Sequence, residues 1–128
     1  MLIIFDCDGV LVDSELIANR TLAAHLSAHG YPVTANECLG RFIGMTIPGV
    51  IAKVQNEGVA LPDDFEATLR AKDQIVFARE LKPVSGVEHA LQRLDGRPRC
   101  VASSGSPEKI ARNLDITGLR KYFEDNLF

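Results

Sequence analysis

The stretch IIFDCDGVLVDSE, residues 3–15, decides how the rest of the chain is read. Leu2 to Phe5 form a continuous apolar run with no polar alternation, the pattern of a parallel strand covered on both faces. The run ends in two carboxylates, Asp6 and Asp8, two positions apart. They repel each other, and desolvating either one is costly unless something positive sits between them. At the carboxyl end of a parallel strand the chain leaves the sheet, and in open α/β sheets that crevice is where ligands bind. Mg²⁺ is a hard cation that takes carboxylate, carbonyl and water oxygens, and it answers the repulsion. It also lets a carboxylate approach a phosphomonoester, which is itself anionic. Of two close carboxylates, one can stay ionised as a nucleophile while the other holds a proton for the leaving group. Gly9 allows a tight turn beside the ligand.

Outward from this motif the pattern becomes purely helical. Ser14 or Asp13 can cap a helix from about Glu15 to His29, stopped by Gly30 and Pro32. Thr34-Ala35-Asn36-Glu37 is a capping box for a second helix. Thr46 can cap a third that ends near Gly58, and Pro62-Asp63-Asp64 opens a fourth that runs to about Leu81. After Lys82-Pro83 the alternation of helix and strand resumes: a helix over Gly86 to Leu94, a strand over Arg99 to Ala102, and a helix opened by Ser106-Pro107-Glu108. The expected architecture is an α/β fold whose parallel-sheet core, residues 1–13 and 82–128, carries an inserted helical cap, residues 14–81.

Composition excludes other classes. The chain has 128 residues, is 46% hydrophobic and has a net charge of −3, which suits one globular domain and leaves no basic stripe for nucleic acid or an anionic membrane. Three cysteines, Cys7, Cys38 and Cys100, lack CxxC spacing and read as reduced thiols. Asp6 and Asp8 interrupt the N-terminal apolar stretch too early for a signal peptide or membrane span, so a cytoplasmic location is expected. His25 and His29, four apart on the first helix, read as part of a solvated face, and Lys53 and Lys109 as helix-surface charges.

Val101 to Pro107, VASSGSP, is the second informative stretch. Ser103 and Ser104 follow an apolar strand and precede a helix N-terminus, where hydroxyls and free N–H groups can hold phosphate oxygens. Together with Asp6-Cys7-Asp8-Gly9-Val10-Leu11-Val12-Asp13-Ser14-Glu15, this resembles the haloacid dehalogenase superfamily, specifically its phosphatase-type members with a small helical cap. The resemblance implies a Rossmann-like parallel-sheet core and a four-helix cap. It implies that Asp6 is the nucleophile that becomes an aspartyl phosphate, that Asp8 is the general acid and base, and that Mg²⁺ is bound by the Asp6 carboxylate and the Asp8 backbone carbonyl. The superfamily's second motif falls on Ser103, and Gly9, Ser103 and Ser104 are the expected phosphate contacts.

Departures within the superfamily narrow the reading. Dehalogenases proper lack the second aspartate, so Asp8 argues against carbon–halogen hydrolysis. The Schiff-base lysine of phosphonoacetaldehyde hydrolases falls on Ile47. The hinge histidine and cap-loop arginine of β-phosphoglucomutases fall on Ala18 and Ile47. A Mg²⁺-dependent sugar-phosphate-type phosphatase acting on a small phosphorylated metabolite is the expectation, with a phosphosugar mutase and a non-catalytic fragment as alternatives. Arg41, in the loop before Gly44-Met45-Thr46, is the expected cap contact for a substrate anion. The superfamily's third and fourth motifs, a lysine and an acidic pair, would follow a third core strand, and the sequence reaches Asn126-Leu127-Phe128 about where that strand is expected. The two core strands are then expected to leave a long unpaired edge. A phospho-accepting receiver domain would need an acceptor aspartate after a mid-chain strand, whereas Asp63 and Asp64 open a helix.

Overall fold

The computed structural model describes residues 1–128, which divide into two compact units, Met1–Glu15 with Phe77–Phe128, and Leu16–Val76. The fold is α/β, with a small parallel sheet and a helical majority.

In the first unit, β1 (Ile3–Phe5) and β2 (Arg99–Val101) pair in parallel, with Ile3 opposite Arg99 and Phe5 opposite Val101. The outer edge of β2 is also bonded. Val101 N–H donates to Asn126 O at 2.9 Å, and Phe128 N–H donates to Val101 O at 2.8 Å. Part of the edge expected to stand unpaired is therefore taken by residues 126–128, which run parallel to β2. A parallel neighbour needs a crossover. Helix α6 (Pro107–Thr117) supplies it, and its boundaries follow from local chemistry: Ser106 Oγ accepts from Lys109 N–H, Pro107 occupies the first turn, and Gly118 adopts φ +75° at the end. Ile110, Asn113 and Leu114, spaced i, i+3 and i+4, form the buried stripe of α6. Before β2 lies α5 (Val87–Arg93). The guanidinium of Arg99 donates to Leu91 O at 3.0 Å and Leu94 O at 2.8 Å, adding charged donors to carbonyls at the end of α5 that otherwise accept from the N–H groups of Leu94 and Arg97.

Leu11, Leu91, Val101, Ile110, Leu114, Leu119 and Phe123 form the interior of this unit. Phe5 meets Phe123 edge-on, ring centres 5.6 Å apart. The expectation of a first strand covered on both faces needs correction. Leu2 is 57% and Ile4 62% exposed, because they alternate away from the Phe5 side onto a face that this chain does not cover.

The second unit holds α1 (Glu15–Ala28) from Leu16 on, α2 (Ala35–Phe42), α3 (Ile47–Asn56) and α4 (Phe65–Glu80) as far as Val76. Each turn between helices carries its own signal. Gly30 takes φ +87° beyond α1, where a side chain would be strained. Thr34 and Glu37 close a reciprocal capping box on α2, and Thr46 caps α3 through Gly49 N–H at 3.2 Å. Leu22, Leu26, Tyr31, Cys38, Phe42, Val50, Val54, Leu61, Phe65 and Leu69 pack into one core.

His25 belongs to this interior. It is 2% exposed, which overturns the solvated-face expectation, because its ring stacks 4.4 Å from that of Phe65 and 4.7 Å from that of His29. Its Nε2–H donates to Phe65 O at 3.3 Å and to Thr68 Oγ at 2.9 Å. Nδ1, as the unprotonated nitrogen, accepts from Lys72 Nζ at 3.0 Å, and His29 Nδ1–H donates to the His25 carbonyl at 2.8 Å. Burial, Lys72 and His29 together hold the His25 pKa below its usual value, against the weaker pulls of the Phe65 carbonyl and Asp64. The unfolded chain takes up a proton on His25 near pH 6.5, while the folded chain resists it. The His25 contribution to stability is thus complete above pH 6.5 and declines as pH falls below it. Melting temperatures at pH 7.5 and 5.5 should show this decline, and His25→Gln should flatten it.

Candidate active site

The residues singled out at the end of β1 lie in one tight turn. The Cys7 carbonyl accepts from the N–H groups of Val10, Leu11 and Val12, and Gly9 sits at φ +76°, where a Cβ would be strained although nothing stands within 4 Å of it. The chain then runs antiparallel to its return strand: Asp13 N–H donates to Lys82 O and Val84 N–H to Leu11 O, both at 2.9 Å.

Cys7 is 1% exposed, whereas Asp6 and Asp8 on either side are exposed. This is the alternation of an extended chain, which sends the two carboxylates away from the core. Asp6 Oδ1 accepts from Cys7 N–H at 2.7 Å, and Asp8 Oδ1 accepts from the hydroxyl of buried Ser14 at 3.0 Å. Each carboxylate thus has one oxygen fixed by a donor. Burial, then Asp8 and Asp6, push the Cys7 thiol up to about 12, so it stays protonated and unreactive. The ammonium of Lys109 works in the opposite direction.

At the end of β2, Ala102 N–H donates to Phe5 O at 2.9 Å, which ties the two strand ends together. Ser103 is half-buried, with its Oγ accepting from Gly105 N–H at 3.3 Å, and Ser104 is exposed. A Cβ on Gly105 would stand 3.6 Å from Lys109 Cδ and 3.8 Å from Ser103 Oγ, so the stem of Lys109 lies along this loop. Asp6, Asp8, Gly9, Ser103 and Ser104 therefore gather at the carboxyl ends of two adjacent parallel strands. Arg41 belongs to the other unit. There it sits in the last turn of α2 rather than in the following loop, and its guanidinium donates to Glu37 Oε2 at 2.8 Å and to Tyr31 Oη at 3.2 Å, and lies 5.9 Å from the Tyr31 ring centre.

Sequence reasoning passed over two residues of this neighbourhood. Ser14 lies six positions from Asp8, and only the tight turn joins them. Lys109 did carry a signal, since a cation in the first turn of a helix opposes the macrodipole and so calls for a reason.

The Asp6 carboxylate and the Asp8 carbonyl, which the backbone hydrogen bonds of the turn leave unused, are hard oxygen donors of the kind Mg²⁺ takes. Nowhere do three His, Cys, Asp or Glu side chains cluster to hold a metal. This chain thus offers two oxygen donors to such an ion.

The family model for haloacid dehalogenase-like hydrolases matches residues 1–128. The chain belongs to this family. Among curated proteins, this haloacid dehalogenase-like chain is 33% identical over 128 residues to the 6-phosphogluconate phosphatase of Escherichia coli K12, covering 98% of itself and 58% of that protein. Among solved structures it is similar to a conserved haloacid dehalogenase-like protein of unknown function from Agrobacterium tumefaciens C58. The TM-score is 0.90 at 37% identity, over 99% of this chain and 57% of that one. A putative β-phosphoglucomutase from Thermotoga maritima shares the fold, with TM-score 0.77 at 24% identity over 96% of this chain and 58% of that one. The haloacid dehalogenase-like chain thus spans less than three fifths of the length of these relatives. No helix in it is long and apolar enough to cross a membrane.

Proposed function

We propose that the protein carrying this chain is a Mg²⁺-dependent phosphomonoester hydrolase that works through an aspartyl phosphate on Asp6. The observation that carries the reading is the pair of exposed aspartates flanking buried Cys7, set beside the Ser103–Ser104 loop on the neighbouring strand. With Asp6 Oδ1 held by Cys7 N–H, Oδ2 is the oxygen that attacks phosphorus. A new O–P bond forms and the ester P–O bond breaks, while Asp8 gives its proton to the departing alkoxide. Water then attacks the aspartyl phosphate, Asp8 recovers a proton from it, and inorganic phosphate leaves with Asp6 restored. The Ser14 hydroxyl keeps Asp8 Oδ1 in place, which leaves Oδ2 for both proton transfers. Ser103, Ser104, the Gly9 turn and the N-terminus of α6 hold the phosphoryl oxygens. Mg²⁺, held by the Asp6 carboxylate and the Asp8 carbonyl, would screen the charge between nucleophile and ester.

The substrate class we propose is a phosphorylated sugar or sugar acid. The phosphatase named for 6-phosphogluconate at 33% identity supports this reading. Residues 14–81 act in it as a cap that selects the leaving group. Arg41 is the candidate cap contact, and its guanidinium keeps N–H donors beyond those given to Glu37 and Tyr31. The compartment we propose is the cytoplasm. A panel of sugar phosphates and phosphorylated sugar acids, assayed with the full-length protein across a Mg²⁺ titration, tests the reading. Phosphate release that requires Mg²⁺ and favours this panel is expected. Isomerised sugar phosphates without free phosphate would assign a mutase, and no turnover of any ester would overturn the proposal.

A further inference from the structure

The loop that follows β2 spends much of its hydrogen-bonding capacity on itself. Ser103 N–H donates to Phe128 O at 3.0 Å, Gly105 N–H to Ser103 Oγ at 3.3 Å and Lys109 N–H to Ser106 Oγ at 3.2 Å. Pro107 has no N–H to give. What remains for a ligand are the N–H groups of Ser104, Ser106 and Glu108 and the serine hydroxyls. All of these donors are neutral, and the Glu108 side chain puts a negative charge into the same turn. A loop of this make-up holds a doubly charged phosphoryl group weakly unless a cation joins it.

Between Cys100 and Ala111 the sequence has one cation, Lys109. It is the third residue of α6, where a positive charge opposes the helix macrodipole, and it is half-buried although lysine ordinarily stays on the surface. Its stem runs along the loop: the point where a Cβ on Gly105 would stand is 3.6 Å from Lys109 Cδ and 3.8 Å from Ser103 Oγ. The ammonium at its end enters none of the chain's ion pairs or side-chain hydrogen bonds. Ala102 N–H donates to Phe5 O at 2.9 Å, so the residues that follow, Ser103 and Asp6, leave the sheet together. The lysine charge is felt on that side, where it draws the Cys7 thiol toward ionisation against burial, Asp8 and Asp6. A half-buried ammonium that opposes its own helix dipole and has no partner within the chain is a place for an anion.

We propose that Lys109 is a further phosphoryl contact of the site, a cation laid along the Ser103–Gly105 loop that holds a tetrahedral oxyanion even without Mg²⁺. The identity of that oxyanion as a substrate's phosphoryl group rests on the phosphatase reading; anion binding itself does not. Lys109 neither gives nor takes a proton in the reaction, and it meets the phosphoryl charge before and during transfer alike. Its contribution is therefore uniform binding, which lowers KM and leaves kcat alone.

The test titrates the full-length protein, freed of divalent cations, with inorganic phosphate in a calorimeter. Saturable binding is expected. Lys109→Met keeps the unbranched stem and removes the charge, and it should weaken phosphate binding about tenfold or more, the loss expected for one charge-assisted hydrogen bond. Lys109→Arg should retain most of the affinity. With Mg²⁺ restored, Lys109→Met should raise KM by a similar factor and keep kcat within about twofold of the parent protein. Were Lys109 only a counter-charge to Asp6 and Asp8, Lys109→Met would lower the melting temperature and leave phosphate affinity as it was. Unchanged affinity in a folded Lys109→Met, or in Lys109→Gln should the methionine variant not fold, would overturn the proposal, as would a fall in kcat at constant KM. Ester hydrolysis with phosphate affinity indifferent to Lys109 would sink this inference and leave the function proposed above standing. Phosphate binding through Lys109 in a protein that hydrolyses no ester would do the reverse.

Discussion

Asp6→Asn in the full-length protein is expected to lower phosphate release at least about a thousandfold, equivalent to about 4 kcal/mol of transition-state stabilisation. An amide oxygen at position 6 can still accept from Cys7 N–H, so the turn is preserved while the nucleophile is lost. Asp8 cannot replace it, because in this account Asp8 is committed to proton transfer and one of its oxygens is held by Ser14. Asp6 is exposed and lies outside the packed interior, so the melting temperature should change little. Single-turnover assays paired with thermal melts separate the two effects. Turnover within tenfold of the parent protein would contradict the nucleophile assignment.

Phe65→Ala should have the largest effect on folding, a loss of about 3–5 kcal/mol. Phe65 is fully buried, and its ring lies 4.4 Å from that of His25 and 5.5 Å from that of His29. Truncation opens a cavity against Leu26 and Leu69, both also buried, and removes the ring that keeps His25 out of water. Denaturant unfolding followed by hydrogen exchange on α1 to α4 measures the change. The Lys72–His25 contact should loosen with it. An unchanged unfolding midpoint would mean that the helical core does not depend on this ring.

Features set by neighbours in sequence could be read without the structure. The capping box of Thr34 and Glu37, the Ser106-Pro107 start of α6 and the Gly30 and Gly118 stops each depend on a few adjacent residues, and the elements begin and end there. The parallel pairing of β1 with β2 was likewise legible, because the apolar runs, the helices between them and the polar strand ends agree. What escaped depends on distant partners. His25 looked like one of two surface histidines because the ring that buries it comes forty positions later, on α4. Arg41 read as a loop residue aimed at a substrate anion, whereas it closes α2, where Glu37 and Tyr31 engage it. Ile4 looked like a fully covered core residue because an apolar run reports hydrophobicity, not which faces this length of chain can cover.

The most direct measurement traps the covalent intermediate. The full-length protein, mixed with Mg²⁺ and a phosphorylated sugar acid and quenched during turnover, is treated with borohydride, which reduces an aspartyl phosphate to homoserine. Peptide mass spectrometry then locates the modified position. The account predicts homoserine at position 6 and nowhere else, absent from the Asp6→Asn variant. Modification at Asp8, or rapid hydrolysis with no trapped residue at position 6, would contradict it.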